Sequence, residues 1–242
     1  MMDLAAKLSV VIPFFNEGAN VTFVLDELRV VLPAVEIIAV DDGSLDDTWD
    51  RIGRRNDVRG LRFHRNQGQS AAVYHGLKAA SREYCGLMDG DGQTDPMGFH
   101  PLLEEMARGT ADVVCGYRAE RRDAWNRRVA ARVANGIRRN LLGDGVRDAG
   151  CSQKVFPRTA VEVLVPFRGL HRYLPAFFQR AGLRIVEVPV NHRERREGVS
   201  NYDNRTRAVA GVRDLIGVAW LLKRAIRINP SEIETTHGPR HR

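Results

Sequence analysis

Short apolar runs alternate with helically spaced apolar positions through the first half of the chain. Leu8 to Phe14 (LSVVIPF) is a continuous run of strand length, the pattern of a strand covered on both faces. Val21, Val24, Leu25, Leu28 and Leu32 then recur at helical spacing and predict a helix over residues 18–32. Val35 to Val40 predicts a second strand, and Asp46 opens a second helix after a Gly-Ser turn. A short strand at Leu61–His64, a helix at Ser70–Ser81 and a strand at Tyr84–Met88 follow. A helix from Pro96 to Arg108, with proline in its first turn, and a fifth strand at Asp112–Cys115 complete the series. This alternation predicts an α/β fold: a Rossmann-like, mostly parallel sheet with helices on both faces. Right-handed crossovers then gather the functional loops at the carboxyl ends of the strands.

The second half has a different texture. Residues 120–142 form one basic helical pattern, with Trp125, Val129, Val133, Ile137 and Leu141 spaced by four among Arg127, Arg128, Arg132, Arg138 and Arg139. Residues 143–200 are mixed and rich in turns, residues 205–228 form another basic amphipathic helix, and residues 229–242 are a polar tail. A basic helix with an apolar stripe either packs that stripe on the core or lies on an anionic membrane surface. No run approaches the ~20 apolar residues of a membrane span, and no leader pattern opens the chain, so the expectation is a soluble or peripheral protein.

Composition narrows this little. A chain of 242 residues suits one large domain, residues 1–228 here, and the net charge of +7 suits an anionic partner without choosing among phosphates, nucleic acid and acidic lipid. The arginines lack the interleaved aromatics of a single-strand binder, and no helix-turn-helix or zinc pattern appears, so nucleic acid is not expected as a partner. Cys85, Cys115 and Cys151 are widely spaced and form no CxxC, which argues against a disulfide framework or zinc site.

Two stretches carry chemistry. In MDGDGQTDP (88–96) an apolar strand runs straight into Asp89 and Asp91. Residues two apart in an extended segment face the same way, so both carboxylates can point at one place beyond the strand end. Two hard oxygen ligands plus the Gln93 side-chain carbonyl suit Mg²⁺ or Mn²⁺, which leave room for substrate phosphates. The plainer reading, a solvated acidic turn, is weakened by the position at a strand end. The second signal is VVIPFFNE (10–17) with VDDGSLDDT (40–48), both at strand carboxyl ends. Asp41 and Asp42 could accept from a base N–H or a ribose hydroxyl. Pro13 and Phe15 could wall a base, while Asp46 needs no ligand beyond a helix N-terminus.

The order VVIPFFNE, VDDGS, NQGQSAA (66–72), MDGDGQTDP, VRDAGCSQKVF (146–156), EGVSNY (197–202) resembles that of family 2 glycosyltransferases with the GT-A fold. Within them it looks like the polyprenyl-phosphate sugar synthases, the branch of dolichyl-phosphate mannose synthase and the bacterial undecaprenyl-phosphate enzymes. The likeness spans roughly residues 8–225. It implies a nucleotide-sugar half over 8–117 and an acceptor and membrane-interface half over 118–228. It implies that Asp89, Asp91 and Gln93 hold the metal, and that Pro13, Phe15, Glu17, Asp41, Asp42 and Gln69 serve the nucleotide. Arg118 would face phosphates and share the catalytic role with Asp91; Arg132, Asn135, Arg195 and Ser200 would contact phosphate or acceptor. Three positions depart from the family pattern. Gly90 replaces a commoner alanine and is expected to loosen its loop, Ser152 replaces a glycine, and Asn201 replaces a lysine.

A sugar hydroxyl acceptor needs a general base. A phosphate monoester, with a second pKa of about 6, is already anionic. Residues 149–180 carry no obvious acidic base, which agrees with a polyprenyl, expected to be undecaprenyl, phosphate acceptor and a UDP- or GDP-linked donor. The family resemblance implies inversion at the anomeric carbon, and the acceptor places the work at the cytoplasmic face of the membrane. The alternative is a family 2 transferase acting on a sugar hydroxyl of a cell-wall or polysaccharide acceptor.

Overall fold

The structure, a computed structural model, describes residues 2–119, 136–193 and 204–224. Its strands are β1 (Leu8–Phe14), β2 (Glu36–Asp41), β3 (Arg59–Arg62), β4 (Tyr84–Leu87), β5 (Val113–Arg118), β6 (Lys154–Pro157) and β7 (Ile185–Val190). Its helices are α1 (Met2–Ala6), α2 (Gly18–Val31), α3 (Thr48–Gly53), α4 (Gln69–Ala79), α5 (Phe99–Ala107), α6 (residues 136–142), α7 (Leu174–Arg180) and α8 (Asn204–Arg224). The seven strands form one sheet in the order β3-β2-β1-β4-β6-β5-β7. All neighbouring pairs are parallel except those of β6, which runs antiparallel to both β4 and β5.

The continuous apolar runs are explained by two cores. Val10, Ile12 and Phe14 of β1 face α2 and α5, packing with Val24, Leu25, Leu28, Phe99 and Leu102. Val11, between them, faces the other way and packs with Val40, Val73 and Leu77. Alternate side chains of one strand thus feed opposite faces of the sheet, which is why β1 and β2 tolerate almost no polar residue.

Several expectations shift. The third strand runs two residues earlier than Leu61–His64, because it is an edge strand whose span is set by pairing with Ile38–Asp41 of β2. Helix α3 starts at Thr48 rather than Asp46, and the Asp46 carboxylate accepts from Thr48 N–H at 3.0 Å and from Gly18 N–H, the first residue of α2, at 2.9 Å. Strands β6 and β7 lie in the turn-rich stretch 143–200, where the residue pattern predicts no element. Gly90 does not loosen its loop: a Cβ there would lie 2.5 Å from Phe14 Cδ1 and 2.7 Å from the Pro13 carbonyl oxygen, so glycine permits a tight contact.

Of the expected helix over 120–142, only 136–142 is described; Trp125, Val129 and Val133 lie outside the described residues. In α6 the stripe faces outward, with Ile137 55% and Leu141 40% exposed. Arg138 is the buried residue, paired with Asp144 and donating to the Val146 carbonyl. The far end of the last predicted helix, 225–228, and the tail 229–242 are likewise outside the described residues. The three cysteines are buried and unpaired, and burial pushes the Cys85 and Cys115 thiols up to about 12.

Candidate active site

A cavity of about 520 Å³ opens at the carboxyl ends of β1, β2, β4 and β5. Pro13, Phe15 and Glu17 enter it from the end of β1, Asp42 from β2, Asp89, Asp91 and Gln93 from beyond β4, and Arg118 from the end of β5. The parallel order of the central strands causes the convergence, since it brings successive strand ends to one edge of the sheet.

Three of the sequence motifs are joined by one hydrogen-bonded chain. Asp42 Oδ1 accepts from Gln67 N–H at 2.8 Å, and its Oδ2 accepts from Gly68 N–H at 2.9 Å and from Asn66 Nδ2 at 3.0 Å. Those bonds fix the turn that starts α4. Its first residue, Gln69, donates through Nε2 to Asp89 Oδ1 at 2.9 Å. The VDDGS motif therefore orients NQGQSAA, which in turn orients the first carboxylate of MDGDGQ. Burial raises the Asp42 carboxyl above its ordinary value, against the pull of the two backbone donors.

Asp89 is half-buried on the cavity wall. Burial, followed by the charge of Asp91, pushes its pKa up to about 6, while Ser152, Lys154 and Arg118 act in the opposite sense. Asp91 Oδ1 accepts from Gln93 N–H at 3.1 Å, which tightens the loop around the pair. Two neighbouring carboxylates suit a divalent cation, and a site with two carboxylates leaves positions for phosphates. Among the described residues, no group of three or more His, Cys, Asp or Glu side chains gathers to hold a metal by protein ligands alone. Gln93 lines the same cavity, and its amide Nε2 donates to the Arg193 carbonyl at 3.4 Å.

Two expectations need correction. Asp41 does not reach the cavity: adjacent residues of an extended strand face opposite ways, and Asp41 is fully buried, accepting from Ser44 N–H at 2.9 Å and pairing with Arg62 at 3.3 Å. Arg118 lines the cavity, but its planar fork grips Asp148, Nε to Oδ2 at 2.7 Å and Nη2 to Oδ1 at 2.8 Å, rather than standing open for phosphate. Burial opposes the charge of Arg118; the paired Asp148 outweighs it, and the net shift is upward. Arg132, Asn135, Arg195 and Ser200 lie outside the described residues.

The far wall of the cavity combines the VRDAGCSQKVF stretch, which the sequence reading singled out, with a His-Arg turn that it did not. Ala149, Gly150, Cys151 and Ser152, from the loop before β6, line the cavity beside His171 and Arg172, from the turn before α7. Ser152, the departure from glycine, bonds Asp89 and lies 3.4 Å from Thr94 Oγ1. The available signal for the turn is a His-Arg pair between Gly169 and Pro175, at the mouth of the apolar α7.

The family model for glycosyl transferase family 2 matches residues 9–165, which hold β1 through β6 and most of the cavity wall. The chain belongs to that family. This glycosyltransferase is 31% identical over 231 residues to the dodecaprenyl-phosphate galacturonate synthase of Rhizobium johnstonii, covering 90% of this chain and 68% of that one. It is 30% identical over 205 residues to the undecaprenyl-phosphate 4-deoxy-4-formamido-L-arabinose transferase of Serratia proteamaculans, covering 81% of this chain and 63% of that one. The chain thus spans about two thirds of these curated relatives' length. Among solved structures it superimposes on glucosyl-3-phosphoglycerate synthase from Mycobacterium tuberculosis with Mn²⁺, UDP-glucose and phosphoglyceric acid, with a TM-score of 0.71 at 23% identity, covering 91% of this chain and 82% of that one. The same enzyme with Mg²⁺ and UDP gives a TM-score of 0.70. At that identity the likeness shows the GT-A fold.

Proposed function

We propose that this glycosyltransferase moves a sugar from a UDP- or GDP-linked donor to a polyprenyl phosphate, of the undecaprenyl class, with inversion at the anomeric carbon. The observation that carries the reading is the distribution of carboxylates around the cavity. The lining carboxylates are Glu17, Asp42, Asp89 and Asp91, all from the nucleotide half; the acceptor-side wall contributes none among the described residues. An acceptor that is already anionic needs no carboxylate base. The names of the two relatives support the same acceptor class.

In this reading Pro13 and Phe15 wall the base, Asp42 and Glu17 meet the nucleoside, and Asp89, Asp91 and Gln93 hold Mg²⁺ or Mn²⁺. A divalent cation held there supplies charge neutralisation for the leaving nucleotide. Arg118, oriented by Asp148, adds a fixed positive charge beside Asp89.

A peripheral site of action, at the cytoplasmic membrane face, has its own support. Val212, Ile216 and Trp220 follow one another by four on α8 and are 58%, 62% and 62% exposed, with Lys223 and Arg224 in the last turn. Basic residues beside an exposed apolar stripe suit an anionic bilayer surface, at about 1 kcal/mol per charge. Among the described residues no helix is long and apolar enough to cross a membrane.

The test is direct. The protein with Mn²⁺ is incubated with a panel of nucleotide sugars and either undecaprenyl phosphate in vesicles or polysaccharide acceptors, and products are identified by mass. A glycosylated polyprenyl phosphate, absent with Asp91→Ala, is the expected result. Transfer to a glycan hydroxyl with none to the lipid overturns the reading.

A further inference from the structure

Arg118 is engaged by Asp148, so the cavity's remaining cationic side chain among the described lining residues is Arg172, with His171 beside it. We propose that His171 and Arg172 form the subsite for the acceptor's phosphate monoester, an inference that rests on the polyprenyl-phosphate reading above.

The turn that carries them is built rather than incidental. Ser70 Oγ accepts from Gly169 N–H at 2.8 Å and lies 2.8 Å from His171 Nδ1. Ser70 is the residue after Gln69, whose amide holds Asp89. Two consecutive residues of α4 therefore tie the imidazole and the proposed metal carboxylate to one rigid element. This places the turn beside the point where the donor's sugar–phosphate bond must break. The His171 imidazole, fixed by Ser70, adds a polar ring beside Arg172 on the cavity wall. The Arg172 guanidinium has no hydrogen-bond or ion-pair partner among the described residues, and the acidic group acting on it is Asp214 of α8. Arginine's planar fork matches two phosphate oxygens.

A second observation assigns this phosphate to the acceptor rather than the donor. The turn packs on α8: Tyr173 Oη donates to the Gly211 carbonyl at 3.3 Å. A Cβ on Gly169, whose φ is +102°, would lie 2.6 Å from Asp214 Oδ2. The inner face of α8, with Val218 and Leu222, shares a core with Leu170 and Tyr173, while its outer face presents Val212, Ile216 and Trp220. In this proposal the prenyl chain leaves the subsite along α8, the helix that packs on the turn. The residues proposed for the nucleotide, by contrast, come from the ends of β1 and β2.

The test compares wild type with Arg172→Gln, His171→Gln and Arg172→Lys, each checked for an unchanged melting transition. Two readouts are used: transfer kinetics with undecaprenyl phosphate, and calorimetric binding of farnesyl phosphate, farnesol and inorganic phosphate to nucleotide-loaded protein. The expected result is a rise of at least about tenfold in the acceptor KM, and in the farnesyl phosphate Kd, for both Gln variants. The nucleotide-sugar KM should stay within about twofold, and Arg172→Lys should recover part of the loss. Farnesyl phosphate should bind more tightly than inorganic phosphate, which separates a lipid head from a free anion, and farnesol should bind least. Unchanged acceptor KM in the Gln variants overturns the subsite. So does a loss confined to kcat, which would make His171 a base. If wild type glycosylates no polyprenyl phosphate yet loses farnesyl phosphate binding in Arg172→Gln, the subsite stands and the proposed function falls. If wild type does glycosylate the lipid and the variants match it, the subsite falls and the proposed function stands.

Discussion

The amide of Gln69 donates to Asp89 Oδ1 at 2.9 Å, joining the first residue of α4 to the carboxylate just beyond β4. The bond favours the charged form of Asp89 against burial. Gln69→Ala removes a hydrogen bond to a charged group, worth about 1.5–3 kcal/mol. The expected outcome is weaker Mn²⁺ binding, with the half-saturating concentration raised at least about tenfold and folding retained. A metal titration of transfer activity measures it, and an unshifted titration would falsify the assigned role.

Asp89, with its pKa raised to about 6, would make the proposed metal binding and the stability pH-dependent in opposite directions. A carboxyl raised in the folded state binds its proton more tightly folded than unfolded. Metal-free protein should therefore lose stability as pH rises from about 4 to about 6, and Asp89→Asn should flatten that slope. Apparent Mn²⁺ affinity should fall as pH drops below about 6, by at most about tenfold per unit, because proton and metal compete. Melting scans without metal and Mn²⁺ titrations across pH 4–8 check both signs.

Arg118→Lys keeps the charge and loses the fork on Asp148. Turnover should drop by more than about tenfold, equal to ~1.4 kcal/mol of transition-state stabilisation. Asp148→Asn should reproduce part of the loss, because it frees the guanidinium from its set orientation. Wild-type rates in both would mean that only a diffuse positive field matters.

Gly90→Ala would place a methyl group 2.5 Å from the Phe14 ring and 2.7 Å from the Pro13 carbonyl oxygen. Overpacking of this kind costs about 1–3 kcal/mol. A lowered melting temperature and weakened nucleotide binding are expected, since Pro13 lines the cavity. A variant that melts like wild type shows that the loop yields without cost.

Ile216 and Trp220, both 62% exposed, separate membrane contact from core packing. Glutamate at both positions buries no charge, so melting and nucleotide binding should persist while sedimentation with anionic vesicles is lost. Retained vesicle binding would move the membrane contact away from α8.

Apolar runs and helical spacing made the first half of the chain legible. β1, β2 and β4 are covered on both faces, so burial leaves an unmistakable imprint on LSVVIPF and its counterparts. The acidic pair beyond β4 was legible because an apolar strand runs straight into it, although residues 90–92 bend rather than continue the strand. β6, with four residues, is too short to leave a period, and β7 (IVEVPV) alternates but stands among turns that obscured it. Arg138 shows the limit of a polarity pattern: it belongs by sequence to the charged face of its helix, yet it is buried because Asp144 and the Val146 carbonyl satisfy it.

The chain's local order determined the α/β alternation, the family and the carboxylates at the strand ends, since each depends on residues close in sequence. Which of Asp41 and Asp42 faces the cavity depended on strand pairing, and the engagement of Arg118 by Asp148 spans 30 residues. The meeting of Ser70 with His171 spans 101. Such contacts have no local signature, because side-chain orientation and partner choice are fixed only when distant elements pack.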